Sequence, residues 1–144
     1  MLFVTEPCCT IFIDSLLHYR GEGVFSLHAF VLMPDHFHIL LTLPQGKTLE
    51  RAVQYIKGGS ARKLALERSM HFPVWQRGFS DHRIRDEADF ASHVRYIADN
   101  PVRKKLVCEA KEFRWSSASG TYALDRLPQG LKPQFLEGIA LRHG

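Results

Sequence analysis

The sequence predicts an α+β sandwich, with a mainly antiparallel sheet and helices packed on one of its faces. Hydrophobic periodicity gives the order helix, strand, strand, helix, strand, helix, followed by an irregular tail. The 144 residues, of which 45% are hydrophobic and 24% charged, suit one domain with its own core. No repeat, low-complexity segment or Pro/Gly/Ser-rich linker divides the chain.

The first three elements follow from short-range patterns. Residues 8–20 have apolar positions at helical spacing before the stop signal at Gly21, which predicts a helix. Residues 24–33 alternate loosely and residues 36–43 form a second apolar run. Pro34 lies between the two runs and cannot donate to a strand ladder, so we expect a turn there and an antiparallel pair of strands.

Thr48 is the predicted N-cap of a second helix that extends to about Arg68, and the pair Gly58-Gly59 is expected to split or bend it. Residues 75–85 alternate aromatic or β-branched residues with basic ones, which predicts a strand with one wet face. Residues 86–100 begin with acidic residues and are followed by Pro101, which predicts a third helix.

The chain divides into a domain over residues 1–122 and a C-terminal tail over residues 123–144. The tail contains apolar residues whose spacing suggests a short helix packed on the domain: Leu131, Phe135, Leu136 and Ile139.

Composition narrows the functional classes. No stretch reaches the ~18–20 apolar residues of a membrane helix, and the N-terminus lacks the basic region of a signal peptide. The 3 cysteines are odd in number and lack metal-ligand spacing, which favours the reducing cytoplasm. A net charge of +4 and a pI near 9.1 slightly favour a nucleic-acid partner.

Two histidines lie two residues apart in the second strand. His36 and His38 share one strand face, whereas Phe37 and Ile39 point to the other, apolar face. Two imidazoles roughly 6–7 Å apart on one face form half of a divalent-metal site. For an isolated pair, two ordinary sheet histidines are the commoner explanation, so the metal hypothesis requires a third ligand.

The third predicted helix supplies one. Beside its core-facing stripe runs a second, polar stripe: Asp89, His93, Tyr96 and Asn100. Tyr96 and Asn100 lie one turn apart. A boundary tyrosine and a helix-terminal asparagine are each common, but together with the histidine pair they suggest chemistry. Two imidazoles and an amide oxygen can hold Mg²⁺ or Mn²⁺, and the phenol can attack phosphorus.

Longer segments resemble a known family. The stretches "FVLMPDHFHILLTLP", "YIKGGSARKL", "VWQRGFSDHRIRDEADFASHVRYIADNPVRKKLV" and "FRWSSA" resemble the REP-associated tyrosine transposases, a branch of the single-tyrosine HUH transposases. The resemblance covers about residues 10–122. It implies a ferredoxin-like arrangement, with His36, His38 and Asn100 as ligands of Mg²⁺ or Mn²⁺ and Tyr96 as the nucleophile.

The family's reaction is cleavage and rejoining of single-stranded DNA through a 5′-phosphotyrosine, at palindromic repeats that fold as hairpins. Basic residues would neutralise DNA phosphates without reading sequence. The candidates are Lys57, Arg62, Lys63, Arg77, Arg83, Arg85, Arg103 and Lys104.

One departure from the family concerns the start of the chain. Members usually begin with a strand that lies beside the histidine-bearing strand, and "MLFVTEPCCTIFI" matches only the region that follows it. This departure has three alternative explanations. The start of the chain is misassigned, another chain or segment fills the place of the strand, or the protein is a decaying copy with an exposed sheet edge. We therefore expect a monomer or a homodimer.

Two other functions remain open at this point. A non-catalytic hairpin-DNA-binding protein derived from a transposase would keep the basic surfaces without the reaction. A metal-dependent hydrolase would use the same histidine pair with water as the nucleophile.

Overall fold

The computed structural model describes residues 1–127 and 133–141. Within these residues lie three α-helices and a four-stranded antiparallel sheet with the strand order β1-β2-β4-β3. The helices are α1 (Glu6–Gly21), α2 (Leu49–Arg68) and α3 (Glu87–Arg103). The strands are β1 (Ser26–Leu32), β2 (His36–Thr42), β3 (Ser80–Arg83) and β4 (Gln134–Ile139). The predicted α+β class with an antiparallel sheet is confirmed.

Helices cover both faces of the sheet. α1 and α2 share a buried cluster with Phe37 and Ile39 on one face. On the other face, Ile97 of α3 lies in a second buried cluster with Val31 and Leu40. The prediction that all helices pack on one face is therefore wrong for α3. The prediction fails because all residues of β1 and β2 after the first are buried, so both faces of this strand pair must be packed against other elements.

Strand β4 lies between β2 and β3 and pairs antiparallel with both. The helix predicted for the tail is wrong, because Gln134–Ile139 form this strand; Leu131 lies outside the described residues. Phe135 and Leu136 belong to the clusters on opposite faces of the sheet, as neighbouring residues of a strand must. The edge of β2 that the sequence leaves open is thus filled by another segment of the same chain.

Glycine 138 allows β4 to approach β2 closely. Gly138 pairs with Phe37, and a Cβ at this glycine would overlap the Phe37 ring. The aromatic ring lies over the β4 backbone where a side chain would otherwise stand. Close packing of this kind helps to set the register of the two strands.

Helix α2 is continuous through Gly58 and Gly59, so the predicted split of the helix is wrong. Gly59 faces α1, and a Cβ there would overlap the Tyr19 ring, whereas a Cβ at Gly58 would meet nothing within 4 Å. The glycine at position 59 therefore serves close helix packing. The next residue, Ser60, donates its hydroxyl to the Ile56 carbonyl one turn back along the helix.

Helix α3 also runs past its predicted end, because Pro101 lies inside it and the helix ends at Arg103. Pro101 has no N–H to donate, but the Lys104 N–H bonds the Asn100 carbonyl and the Leu106 N–H bonds the Pro101 carbonyl. These bonds close the last turn. As a result, Arg103 stands on the same helix as Tyr96.

A carboxylate ties the segment after residue 122 to the sheet. Asp125 accepts two hydrogen bonds from the Arg20 guanidinium, at 2.8 and 2.9 Å, and one from the Leu27 N–H. Burial alone would raise the pKa of Asp125, but these bonds and the Arg20 charge lower it overall.

Among the residues that the structure describes, no helix has the length and hydrophobicity needed to cross a membrane.

The glycine pair in α2 gives a matched test of helix packing. Gly59→Ala should destabilise the protein by about 1–3 kcal/mol, because the new Cβ overlaps the Tyr19 ring. Gly58→Ala should be neutral or stabilise by up to about 1 kcal/mol, because it removes the backbone freedom of glycine where space is open. Urea unfolding measures both; equal effects at the two positions would contradict the packing explanation.

Candidate active site

A cleft of about 480 Å³ opens on the α3 side of the sheet, at the end of β2 that begins with His36. Its wall combines residues from β2, α3 and β4, and the chemically active ones are His36, His38, Tyr96, Asn100 and Glu137. The cleft thus brings together the predicted nucleophile and all predicted metal ligands. It also adds a carboxylate that the sequence did not suggest.

The two histidines face the cleft together, as the strand periodicity predicts, with ring centroids 4.8 Å apart. The His36 Nδ1 lies 2.7 Å from the Asp35 carboxylate. With the Nδ1 proton donated to this carboxylate, the Nε2 of His36 keeps a free lone pair. A carboxylate behind a histidine is the arrangement that orients imidazole ligands in metal sites.

His38 is buried, with 2% of its surface exposed, and neither ring nitrogen has a hydrogen-bond partner. Its ring stacks on Phe135 with centroids 5.3 Å apart and meets the edge of Tyr96 at 5.2 Å. Burial, followed by the nearby charges of His36 and Arg103, lowers the pKa of His38 to about 3. The imidazole is therefore neutral near pH 7, which is the form that binds metals.

Asn100 is equally buried, and its Oδ1 has no hydrogen-bond partner. Among the described residues, the buried side-chain nitrogen and oxygen atoms without a partner are the two ring nitrogens of His38 and this oxygen. Leaving such atoms unpaired costs about 1–3 kcal/mol each. A neutral imidazole has one N–H donor and one lone pair, so His38 offers one ring nitrogen as an electron-pair donor, and together with the Asn100 oxygen it can serve a divalent cation.

Tyr96 projects from α3 into the mouth of the cleft and is 40% exposed. Its ring is held between His38 and the Arg103 guanidinium, which lies 4.3 Å from the ring centroid. A cation over a tyrosine face is attracted by the ring quadrupole. The sequence placed Arg103 beyond the helix end, whereas the continued α3 brings it against the phenol.

The predicted DNA-binding residues fall into separate groups. Arg103 and Lys104 are exposed beside the cleft, and Lys104 lines it. Arg77 lies in an adjoining hollow that reaches Glu137, and Arg83 and Arg85 are exposed around the end of β3. Their role in DNA binding stays a prediction.

The other three predicted DNA-binding residues lie on α2, across the sheet from the cleft. Arg62 is exposed and Lys63 is half-buried. The Lys57 ammonium donates to the carbonyls of Gln76 and Gly78, and burial lowers its pKa. The structure therefore gives Lys57 a role in fixing the loop before β3.

Sequence reasoning missed a cluster beside the cleft. His82 Nε2 lies 2.9 Å from one oxygen of Asp89, and His93 Nδ1 lies 3.1 Å from the other. The two imidazoles stack with centroids 4.8 Å apart, and His82 lines a hollow that also contains Tyr96. Asp89 and His93 were visible as part of the polar stripe of α3. Glu137 gave no signal, because its segment was expected to be helical.

Comparison with known proteins identifies the family of the chain. The family model for IS200-like transposases matches residues 7–100. A protein of Haemophilus influenzae assigned to the REP-associated tyrosine transposases is 34% identical over 110 residues, covering 69% of this chain and 60% of that protein. The REP-associated tyrosine transposase of Escherichia coli K12 is 28% identical over 117 residues, covering 77% of this chain and 68% of that protein.

The similarity extends to a solved structure. The REP-associated tyrosine transposase bound to a REP hairpin superposes with a TM-score of 0.67 and 25% sequence identity. The match covers 86% of this chain and 76% of that one. The family resemblance inferred from the motifs is therefore confirmed.

Asp89 provides a pH test of the cluster beside the cleft. The hydrogen bond from His82, then that from the Arg85 N–H, lowers the pKa of Asp89 from 3.8 to about 2. The stabilisation is complete above the ordinary pKa and disappears as the pH falls through the lowered one. Asp89→Asn should therefore lower Tm at pH 6, and the gap to the parent protein should close between pH 4 and about pH 2.

Thermal unfolding across this range measures the effect. Asp99→Asn, at an exposed position of the same helix, is the control and should show no gap that closes. A constant gap for Asp89→Asn over the whole range would contradict the role given to the carboxylate charge.

Proposed function

We propose that the chain, which belongs to the IS200-like transposase family, cleaves and rejoins single-stranded DNA at hairpin-forming palindromic repeats through a 5′-phosphotyrosine. One observation carries the proposal. The buried polar atoms without a partner in the described residues belong to His38 and Asn100, in the cleft that Tyr96 enters. A folded protein tolerates such atoms chiefly where function requires them.

His36, His38 and Asn100 would hold Mg²⁺ or Mn²⁺. When bound, such an ion supplies Lewis-acid polarisation of a phosphodiester oxygen. The protein's own contribution is the arrangement of the ligands: Asp35 orients His36, and burial keeps His38 neutral. Burial also excludes water from the inner wall, where a phosphate charge interacts more strongly with cations.

Tyr96 performs the covalent step. Its hydroxyl oxygen attacks phosphorus, the new O–P bond forms as the bond to the 3′ oxygen breaks, and the DNA leaves with a free 3′-OH. The phenolic proton passes to solvent, and the departing oxygen takes one up. Rejoining is the reverse reaction, in which a 3′-OH attacks the phosphotyrosine. No external energy source is needed, because the phosphodiester energy is kept in the O–P bond.

Positive charge at the cleft mouth favours this substrate. Arg103 covers the Tyr96 ring, and Lys104 lines the same opening, so a phosphate that approaches the hydroxyl meets two cations. The net charge of +4 attracts DNA at longer range. The solved relative bound to a REP hairpin supports hairpin DNA as the substrate class.

We infer a cytoplasmic location and action as a monomer or homodimer.

The nucleophile can be tested by trapping. Hairpin oligonucleotides with single-stranded flanks, taken from palindromic repeats beside the gene, are incubated with the protein and Mg²⁺ or Mn²⁺. The parent protein should form a covalent protein–DNA adduct that survives denaturing electrophoresis, and Tyr96→Phe should form none. Tyr55→Phe, at an exposed tyrosine of α2, is the matched control and should form adduct normally.

The alternatives give different products in the same assay. An adduct that persists in Tyr96→Phe would remove Tyr96 from its role. Binding of the hairpin without any adduct would favour a non-catalytic DNA-binding protein. A free 5′-phosphate without adduct would indicate a hydrolase in which water is the nucleophile.

Arg103 should contribute to the rate. The attraction between the guanidinium and the ring grows as the phenol loses its proton, and a gain of about 0.5–2 kcal/mol means that Arg103→Gln should slow adduct formation by about two- to thirtyfold. Single-turnover kinetics with saturating DNA isolates this effect from weaker binding. Arg95→Gln removes the same charge from an exposed position next to Tyr96 and should change the rate little. Equal losses of rate for Arg103→Gln and Arg95→Gln would indicate that Arg103 acts only through its charge and not through its contact with the ring.

A further inference from the structure

We propose that Glu137 of β4 is an additional ligand in the metal site, so that strand β4 completes the active site in the same chain. The inference rests on the proposed function and deepens it, since it assigns a carboxylate to a site otherwise built from two imidazoles and an amide. It also gives β4 a chemical role beyond closing the edge of β2.

Strand pairing places Glu137 at the histidines. Glu137 is the direct antiparallel partner of His38, and directly opposite residues project to the same face of a sheet. The His38 Nε2 lies 3.4 Å from Glu137 Oε2. The candidate ligand atoms of His36, His38 and Glu137 all lie within 4.8 Å of one another. Ligands on opposite sides of an ion with bonds of about 2.1 Å would be about 4.2 Å apart, so modest adjustment suffices.

Among the described residues, Glu137 has an ionic contact with His38 alone, and no lysine or arginine forms a salt bridge with it. Despite the short distance, the His38 Nε2 has no hydrogen bond. The half-buried carboxylate and the imidazole, 3.4 Å apart and without a hydrogen bond between them, have nearly the separation of two adjacent ligands of one ion.

The donor set fits a hard or borderline divalent ion. The carboxylate and amide oxygens are donors that Mg²⁺ and Mn²⁺ prefer, and the two imidazoles extend the set to borderline ions such as Mn²⁺. Glu137 adds the negative charge that neutral ligands lack, and Asp35 adds a second one behind His36. Register protects the arrangement, because a slip of one residue in β4 would turn Glu137 to the opposite face.

Metal binding tests the proposal independently of catalysis. Isothermal titration and Mn²⁺ EPR are carried out on the full chain without DNA, for the parent protein, Glu137→Gln and Glu137→Asp. Glu137→Gln should weaken Mn²⁺ binding by about 10- to 100-fold, and Glu137→Asp, which keeps the carboxylate, should recover part of the affinity. Glu67→Gln removes the same charge from an exposed position on α2 and should leave Mn²⁺ affinity unchanged.

Circular dichroism and metal-free Tm exclude misfolding as the cause of any loss. Mn²⁺ affinity of Glu137→Gln equal to that of the parent would overturn the proposal, as would a parent protein that binds no Mn²⁺. Weakened Mn²⁺ binding in Glu137→Gln, with a parent protein that forms no DNA adduct, would uphold the ligand while the proposed function fails. An adduct in the parent with unchanged Mn²⁺ affinity in Glu137→Gln would uphold the function and reject the ligand.

Discussion

The pairing of β2 with its two neighbours is the constraint on which the site depends. β2 lies between β1 and β4, so its backbone groups are bonded on both sides and its side chains are buried on both faces. A strand enclosed in this way has a fixed register, because a shift by one residue would exchange its two faces. The register that puts Phe37 and Ile39 under α1 and α2 also turns His36 and His38 toward α3.

Helix α3 turns a polar strand face into the wall of a cleft. It docks through Ile97 on the cluster around Val31 and Leu40, and this docking buries Asn100 and His38 with polar atoms unpaired. Hydrophobic burial elsewhere offsets that local cost. The turn after Pro101 then places Arg103 over the Tyr96 ring. At the inner wall of the cleft the unpaired polar atoms lower the stability of the fold. Along the rest of α3, apolar packing stabilises the fold and the cleft together.

Local patterns were enough to predict the elements whose signals are local. α1, β1, β2 and α3 followed from periodicity, and the faces of His36, His38, Tyr96 and Asn100 followed from spacing. β4 could not be found in this way, because adjacent apolar residues fit a helix stripe as well as a strand buried on both faces, and its pairing with β2 joins residues about a hundred positions apart. The role of Gly59 likewise depends on a tyrosine in another helix. The spacing of residues within one segment shows neither the pairing of β4 with β2 nor the contact of Gly59 with the tyrosine.

The charge distribution of the cleft explains why these parts occur together. A phosphodiester needs cations where its charge grows, and a divalent ion needs anionic or neutral donors. The cleft separates these demands by depth: Arg103 and Lys104 are exposed at the mouth, and the imidazoles, the amide and Glu137 form the inner wall. Tyr96 lies between the two zones, where under the proposed function its hydroxyl would meet the phosphate. Because each zone comes from a different element, the site exists only when β2, α3 and β4 have all packed together.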